Sequence, residues 1–394
     1  MKSVPLLSQL FLVFTSKFAS GVFSKKDHKR KDVRVLIKAK QRVKHKSAKK
    51  KFGVRWNFDQ GFSTIVSEKD YQLLKQNNNY HIRLVPKVKL EDTLHSGPNS
   101  ALPKEQTPWG VKAVCNESGL ESASGGESIR VAILDTGVYI NHVDLADNVE
   151  VCKDFRRADS PVEKENFLDE HGHGTHAAGT VLANGGCDGL GIFGIAPGAK
   201  LWAYKVLGKN GTGYSDDIAY AIRHAADQAE EANTKVIISM SFGEIHKDPL
   251  ISDAVSYAAE HGALVISGTE TPSLEANSKS DTSQKSKNSG SHTSLSSLSP
   301  LTKNLNTAFE DDDLTMWAPS TAIESTWMNG GYQTLSGSSL AVPHISGLAA
   351  KIWSQEQDLS NHALRQKLQT LANEAYKEMP TSSEEHSCRY AVMK

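Results

Sequence analysis

The chain has 394 residues, enough for roughly two or three domains of ordinary size, and its 38% hydrophobic and 23% charged content is that of a globular protein. Formal net charge is zero, yet positions 25–51 hold 14 Lys and Arg against Asp27 and Asp32, so that segment is +12 and the remainder −12. No run approaches the ~18 apolar residues of a membrane-spanning helix, and Cys115, Cys152, Cys187 and Cys388 are too few and too scattered for a disulfide scaffold or paired zinc ligands.

Lys2, the apolar stretch 4–14 and the small residues Ala19, Ser20 and Gly21 have the three-part shape of a secretory signal peptide. Residues 1–23 are read as that peptide, which predicts a secreted or lumenal/vacuolar protein. The basic run reads as a linker into a strand, because Val33, Val35 and Ile37 alternate with Arg34 and Leu36. A nucleic-acid-binding arm is the rival reading, but nothing in the rest of the chain adds a nucleic-acid footprint. Residues 33–90 alternate strand-like runs with a helix start at Ser67 and read as a small α/β domain. Positions 95–106, with Gly97, Pro98 and Pro103, have turn chemistry and no periodicity, so the main boundary falls there. Beyond it, β-rich runs at 130–134, 200–206, 235–240 and 263–267 alternate with helical patterns, the signature of a parallel sheet covered on both faces. Ser215 and the Asp248-Pro249 pair mark two helix starts, and Gly262 one helix end. Between 270 and 300, 11 of 31 residues are Ser, too little apolar surface to fold, so disorder is expected there.

Three blocks carry chemistry. Val131-Ala132-Ile133-Leu134-Asp135-Thr136-Gly137 puts a carboxylate where a buried strand meets a glycine turn, the place where open α/β sheets build sites. His171-Gly172-His173-Gly174-Thr175-His176 sets three histidines among small residues, without the HExxH pattern of a zinc hydrolase. Ser336-Gly337-Ser338-Ser339-Leu340-Ala341 is a small-residue turn opening into an apolar helix, which predicts an exposed serine at a helix N-terminus. Asp135, His173 and Ser339 supply what acyl transfer needs: a hydroxyl nucleophile, an imidazole to take its proton, and a carboxylate to orient and stabilise the imidazole.

Together the three blocks resemble those of the subtilisin-like serine proteases (subtilases), over about residues 104–375. The resemblance implies a three-layer α/β/α domain with a mainly parallel sheet over 107–394, and a ferredoxin-like α/β prodomain within 24–95. It also implies a processing site in the 96–106 linker. The implied activity is serine endopeptidase, made as an autoinhibited precursor, with Ser339 as nucleophile, His173 as general base and Asp135 as orienting acid. Ser241, Phe242 and Gly243 resemble the edge strand that pairs with an extended peptide substrate. Asp144 and Asp188 match positions that ligate a structural calcium in the family, and oxygen ligands in a glycine-rich loop suit that ion. No cofactor is implied for catalysis. The implied partners are protein or peptide substrates and the chain's own propeptide as intramolecular inhibitor, in a monomer without nucleic acid.

Two departures qualify this reading. Where relatives place the oxyanion-hole Asn, Leu264-Val265-Ile266-Ser267-Gly268 is followed by Thr269, whose hydroxyl has a shorter reach. The wall of the specificity pocket is not recognisable across 270–308, where a true insertion and an altered transcript would look alike. The alternative is therefore a catalytically impaired pseudoprotease acting as a binding or decoy module. Pairing between Cys152 and Cys187 stays open.

Overall fold

A computed structural model describes residues 32–90, 93–115, 124–157, 168–242, 248–268, 298–301 and 316–377. The signal-peptide reading, most of the Ser-rich tract, Cys388, Gly243 and Thr269 fall outside these residues.

The N-terminal unit runs β1 (Asp32–Ala39), α1 (Arg42–Phe52), β2 (Asn57–Phe58), β3 (Gly61–Ser67), α2 (Glu68–Lys75) and β4 (Tyr80–Leu84). The sheet order is β2-β3-β1-β4, with β1 antiparallel to both neighbours. Alternation along β1 works on both faces. Val35 and Ile37 bury against Ala48, Phe62, Val66 and Leu74, while Leu36 joins a core shared with the large domain. The basic run is thus no simple linker: its second half folds as α1, whose Lys49, Lys50 and Lys51 fall in the last turn, where the helix dipole favours cations. Ser67 caps α2 by accepting from the Asp70 N–H at 3.1 Å.

Two short strands follow, β5 (Lys87–Lys89) and β6 (Leu94–His95), then α3 (Trp109–Cys115). The stretch expected to be an irregular linker is tied down. His95 and Leu94 pair with Leu335 and Ser336, and Ser100 exchanges two backbone hydrogen bonds with Tyr332 at 3.0 and 2.9 Å.

The large domain is built on β7 (Ile129–Asp135), β8 (Val149–Asp154), β9 (Lys200–Lys205), β11 (Lys235–Met240) and β12 (Leu264–Ser267), ordered β12-β11-β7-β9-β8 and parallel throughout. Between them lie α4 (His173–Leu182), β10 (Thr212–Tyr214), α5 (Ser215–Glu231) and α6 (Pro249–Glu260). On β7, Ile129, Val131 and Ile133 face one core with α3 and α4, while Ala132 and Leu134 face the other with α5 and α6. This two-faced burial explains the apolar runs, and it makes the fold a sheet with helices on both sides. The edge strand β8 had no apolar run to announce it, because Glu150 and Lys153 interrupt its sequence. Asp248 caps α6 as expected, accepting from the Leu250 N–H at 2.9 Å. Ser215 lies inside α5 instead of capping it, the cap position being Tyr214.

The chain then forms β13 (Leu298–Leu301), β14 (Met316–Pro319), β15 (Ile323–Thr326), β16 (Tyr332–Ser336), α7 (Ala341–Gln355) and α8 (Asn361–Lys377). Strand β13 pairs antiparallel with β14, so the tail end of the tract expected to be disordered carries regular structure. Among the described residues no helix is long and apolar enough to cross a membrane.

Candidate active site

The three chemical blocks meet at the C-terminal end of the parallel sheet. Asp135 is the last residue of β7, His173 the first of α4, and Ser339 sits in a single 3-10 turn, Ser338–Leu340, that feeds α7. His173 Nδ1 lies 2.9 Å from Asp135 Oδ2 and 3.0 Å from Oδ1, and His173 Nε2 lies 2.9 Å from Ser339 Oγ. Asp135 and His173 are buried, and so is Ser339, at 4% exposure. The exposed serine expected from the sequence is covered because the chain near Thr93 lies over the preceding turn: a Cβ on Gly337 would meet Thr93 Cγ2 at 2.9 Å.

Electrostatics follow from this burial. Desolvation pulls the His173 imidazole down, but the Asp135 charge and its hydrogen bond, with a further contribution from Asp169, outweigh it and hold the ring above the ordinary histidine value. His176 behaves in the opposite way. Buried without a carboxylate, and with Nε2 3.0 Å from the Ile323 carbonyl, it is pushed down to about 3 and stays neutral. His171 is lowered by burial and by His173. Of the three histidines in the block, His173 alone bridges a carboxylate and a hydroxyl.

The segment expected to pair with a peptide, Ser241 and Phe242, continues the chain just past β11. Strand β11 is an inner strand between β12 and β7, so Lys235–Met240 has no free edge. Ser241 and Phe242 are buried, and the Phe242 ring belongs to the core. The strand that does accept an extended segment is β10, which sequence reasoning missed. Thr212, Gly213 and Tyr214 pair antiparallel with Lys89, Val88 and Lys87 of β5, and the Leu90 N–H donates to Gly211 O at 2.8 Å. The signal was the glycine-spaced Gly208 to Tyr214 stretch just before a helix. Near Thr269, the Gly268 N–H donates to Met240 O at 3.1 Å, fixing the end of β12 beside Ser241.

Asp144 is fully buried, and its Oδ2 accepts from the Ile192 N–H at 2.9 Å and the Tyr332 hydroxyl at 2.8 Å. Its Oδ1 has no hydrogen-bond partner, an unusual state for a buried carboxylate oxygen. That oxygen faces the glycine loop: a Cβ on Gly191 would meet it at 1.8 Å, and one on Gly186 at 2.9 Å, with Asp188 Oδ1 3.4 Å from the latter. Asp188 is exposed, and its Oδ1 accepts from the Leu190 N–H at 3.1 Å. No group of three or more His, Cys, Asp or Glu residues forms a metal cluster among the described residues. Cys115, Cys152 and Cys187 are free thiols, so Cys152 and Cys187 are not bridged.

A doubly covered parallel sheet that brings a hydroxyl, an imidazole and a carboxylate together at its C-terminal end defines a protein of the serine-hydrolase class. Residues 126–387 match the subtilase family, peptidase S8. A subtilisin of Bacillus sp. (strain TA39) is 42% identical over 358 residues, 86% of this chain and 85% of that protein. The major intracellular serine protease of Bacillus subtilis (strain 168) is 34% identical over 283 residues, 71% of this chain and 83% of that protein. Among solved structures, Sphericase is similar with a TM-score of 0.57 at 42% identity, covering 70% of this chain and 92% of its own. The S41 psychrophilic protease gives a TM-score of 0.56 at 43% identity, covering 69% and 91%. The chain belongs to the subtilase family of serine endopeptidases.

Within that class the relay depends on a close backbone approach. A Cβ on Gly174 would meet Gly137 O at 2.1 Å and Asp135 Cβ at 3.1 Å, and the first neighbour is backbone that cannot swing aside. Gly174→Ala should therefore push the Asp135 turn away from His173 and lower turnover of a chromogenic peptide about 100-fold, the cost of roughly an ångström of misplacement. Unchanged turnover would contradict the packing described.

Proposed function

We propose that the chain is the precursor of a serine endopeptidase that cleaves proteins or peptides through an acyl-enzyme on Ser339. The observation that carries this is the 2.9 Å contact between His173 Nε2 and Ser339 Oγ, with Asp135 on the far side of the same ring. As Ser339 Oγ attacks a peptide carbonyl, His173 takes the hydroxyl proton and returns it to the leaving amine. Water then repeats the sequence in reverse on the ester. Asp135 fixes the tautomer in which Nδ1 carries hydrogen and stabilises the imidazolium. The N–H of Ser339, in the turn that feeds α7, offers one donor to the developing oxyanion, and Thr269 is the residue placed by resemblance to offer the second. No cofactor takes part in this chemistry, and we read the enzyme as a monomer. The intact relay leaves the pseudoprotease alternative without a supporting observation. A serine-directed phosphonate should label Ser339 in the activated protein and not in Ser339→Ala, and labelling should fall away on the acid side as His173 becomes charged. Absence of labelling at both pH 7 and pH 9 would sink the protease reading.

The N-terminal unit is proposed as a ferredoxin-like inhibitory prodomain, on its strand–helix–strand–strand–helix–strand order. Charge supports the docking. Arg34 Nη1 lies 2.9 Å from Asp216 and 2.6 Å from Asp217, Arg55 Nη2 lies 2.8 Å from Asp217, and Trp56 donates to Asp217 at 2.8 Å. Trp56 also stacks on Tyr220 at 3.8 Å. Pairing supports it further: β5 lies on β10, and β6 lies on β16, the strand that leads into the turn carrying Ser339. These pairings favour a first self-cleavage between Leu90 and Thr93 over one in the 96–106 linker. N-terminal sequencing of the first product should read from residue 91, 92 or 93, while a start within 96–106 would restore the linker site. Export is read from residues 1–23 and is tested by whether the secreted protein lacks them.

Asp144, with the carbonyls of loop 185–191 and Asp188, fits a calcium ion, because one buried carboxylate oxygen faces that loop unpaired. Chelation should lower the melting temperature, with recovery on adding Ca²⁺ but not Mg²⁺. A melting temperature indifferent to chelator would remove the calcium reading.

A further inference from the structure

Asp135 is not the only carboxylate that organises His173. Asp169, itself buried at 8% exposure, lies in the loop that enters α4, and its two oxygens receive five hydrogen bonds. Oδ1 accepts from Thr136 Oγ1 at 2.9 Å and from the N–H groups of His171 at 2.9 Å and Gly172 at 2.8 Å. Oδ2 accepts from the Thr175 N–H at 3.0 Å and its hydroxyl at 2.7 Å. The two hydroxyls pass the tie onward. Thr136 Oγ1 accepts from the Gly174 N–H at 3.0 Å, and Thr175 Oγ1 from the Tyr139 N–H at 2.9 Å.

Every one of these bonds ends on a residue beside Asp135 or His173 or on the turn that follows Asp135. Helix α4 has Gly172 at its cap position and no side-chain cap there, so Asp169 accepts from the Gly172 and Thr175 N–H groups and Thr136 from that of Gly174. A negative charge at that end also suits the helix dipole. The loop carrying Asp169 is anchored in turn by the buried Lys205, whose Nζ donates to Leu168 O at 2.5 Å and lies 3.4 Å from Glu170 Oε2.

We propose that Asp169 is a positioning residue for the relay, fixing the strand end that carries Asp135 against the helix start that carries His173 and so aiming the imidazole at Ser339. This rests on the reading of Ser339 as the nucleophile. An asparagine would keep one acceptor oxygen and turn an NH2 donor toward either the three donors that meet Oδ1 or the two that meet Oδ2, so the clamp cannot close completely.

The titratable groups around His173 are Asp135, Asp169, His171 and His176, with Lys205 and Glu170 behind Asp169 and His95 beyond His171. Removing the Asp169 charge takes away one of the influences that hold the imidazolium, so the acid limb of kcat/KM moves to lower pH.

The test uses the full chain carrying Asp169→Asn or Thr136→Val, activated by a trace of parent enzyme and assayed on a peptide p-nitroanilide, with active sites counted by phosphonate. Asp169→Asn should lower kcat on the order of 100-fold, with KM little changed and the acid limb displaced downward. Thr136→Val keeps the charge and deletes one tie, so its kcat falls while its acid limb stays in place. It decides the matter if Asp169→Asn is not recovered folded. A purely structural Asp169 would give a lower melting temperature with parental kcat and acid limb per labelled site, and that result overturns the inference alone. A parent chain without turnover would overturn the reading beneath it as well.

Discussion

The imidazole of His173 has to meet two partners at once, one 38 residues away in the chain and the other 166. A ring between a carboxylate and a hydroxyl tolerates little error in either direction, so the scaffold must fix three separate backbone segments to a fraction of an ångström. The sheet does this by topology. Strand β7 runs between β11 and β9 with both faces buried, which leaves Asp135 at a rigid strand end. Helices α4 and α7 pack into the same core on one face of the sheet, so their N-terminal ends arrive over that strand end together. Glycine at 174 and the Asp169 clamp then close the last gap.

Burial gives the relay its electrostatic character. In water, an imidazole beside a carboxylate gains little, because solvent screens the pair. Here all three groups are buried, and the Asp135 charge acts on His173 strongly enough to overcome desolvation. Packing against the large domain accounts for the two-sided use of β1. One face makes the small domain's own core, while Leu36 and Arg34 on the other meet the large domain. Arg34 and Arg55 would be costly to bury alone, and Asp216 and Asp217 at the start of α5 supply the opposite charge. The charge imbalance between the basic N-terminal segment and the acidic remainder thus has a local counterpart in named ion pairs.

What the sequence made legible followed from local chemistry. His173 and Ser339 stood out because each lies in a block of small residues, and Asp135 because it ends an apolar run at a glycine turn, each with a residue type suited to acyl transfer. The inner strands stood out as apolar runs. Strand β8 did not, since an edge strand has no need of a continuous apolar run, and the 94–100 segment looked like a linker because β6 gains its order only by pairing with β16. Helix α1 was hidden by its charge: six lysine and arginine residues along its length masked a short buried contact through Ala48. Asp169 was illegible for a different reason. A carboxylate two residues before His171 reads as a turn former, and its five donors come from residues that only the fold assembles. Gly211 to Tyr214 likewise stood out as a paired segment only when β5 was seen against it.

Whether one buried imidazole is shared between Asp135 and Ser339 can be read from proton NMR of the imidazole N–H groups. A far-downfield Nδ1 proton on His173 is expected at neutral pH, titrating at a pH above that of an ordinary histidine. It should persist in Ser339→Ala and vanish in Asp135→Asn. A His173 signal at the solvent-exposed position, titrating as a free histidine and indifferent to Asp135→Asn, would contradict that sharing.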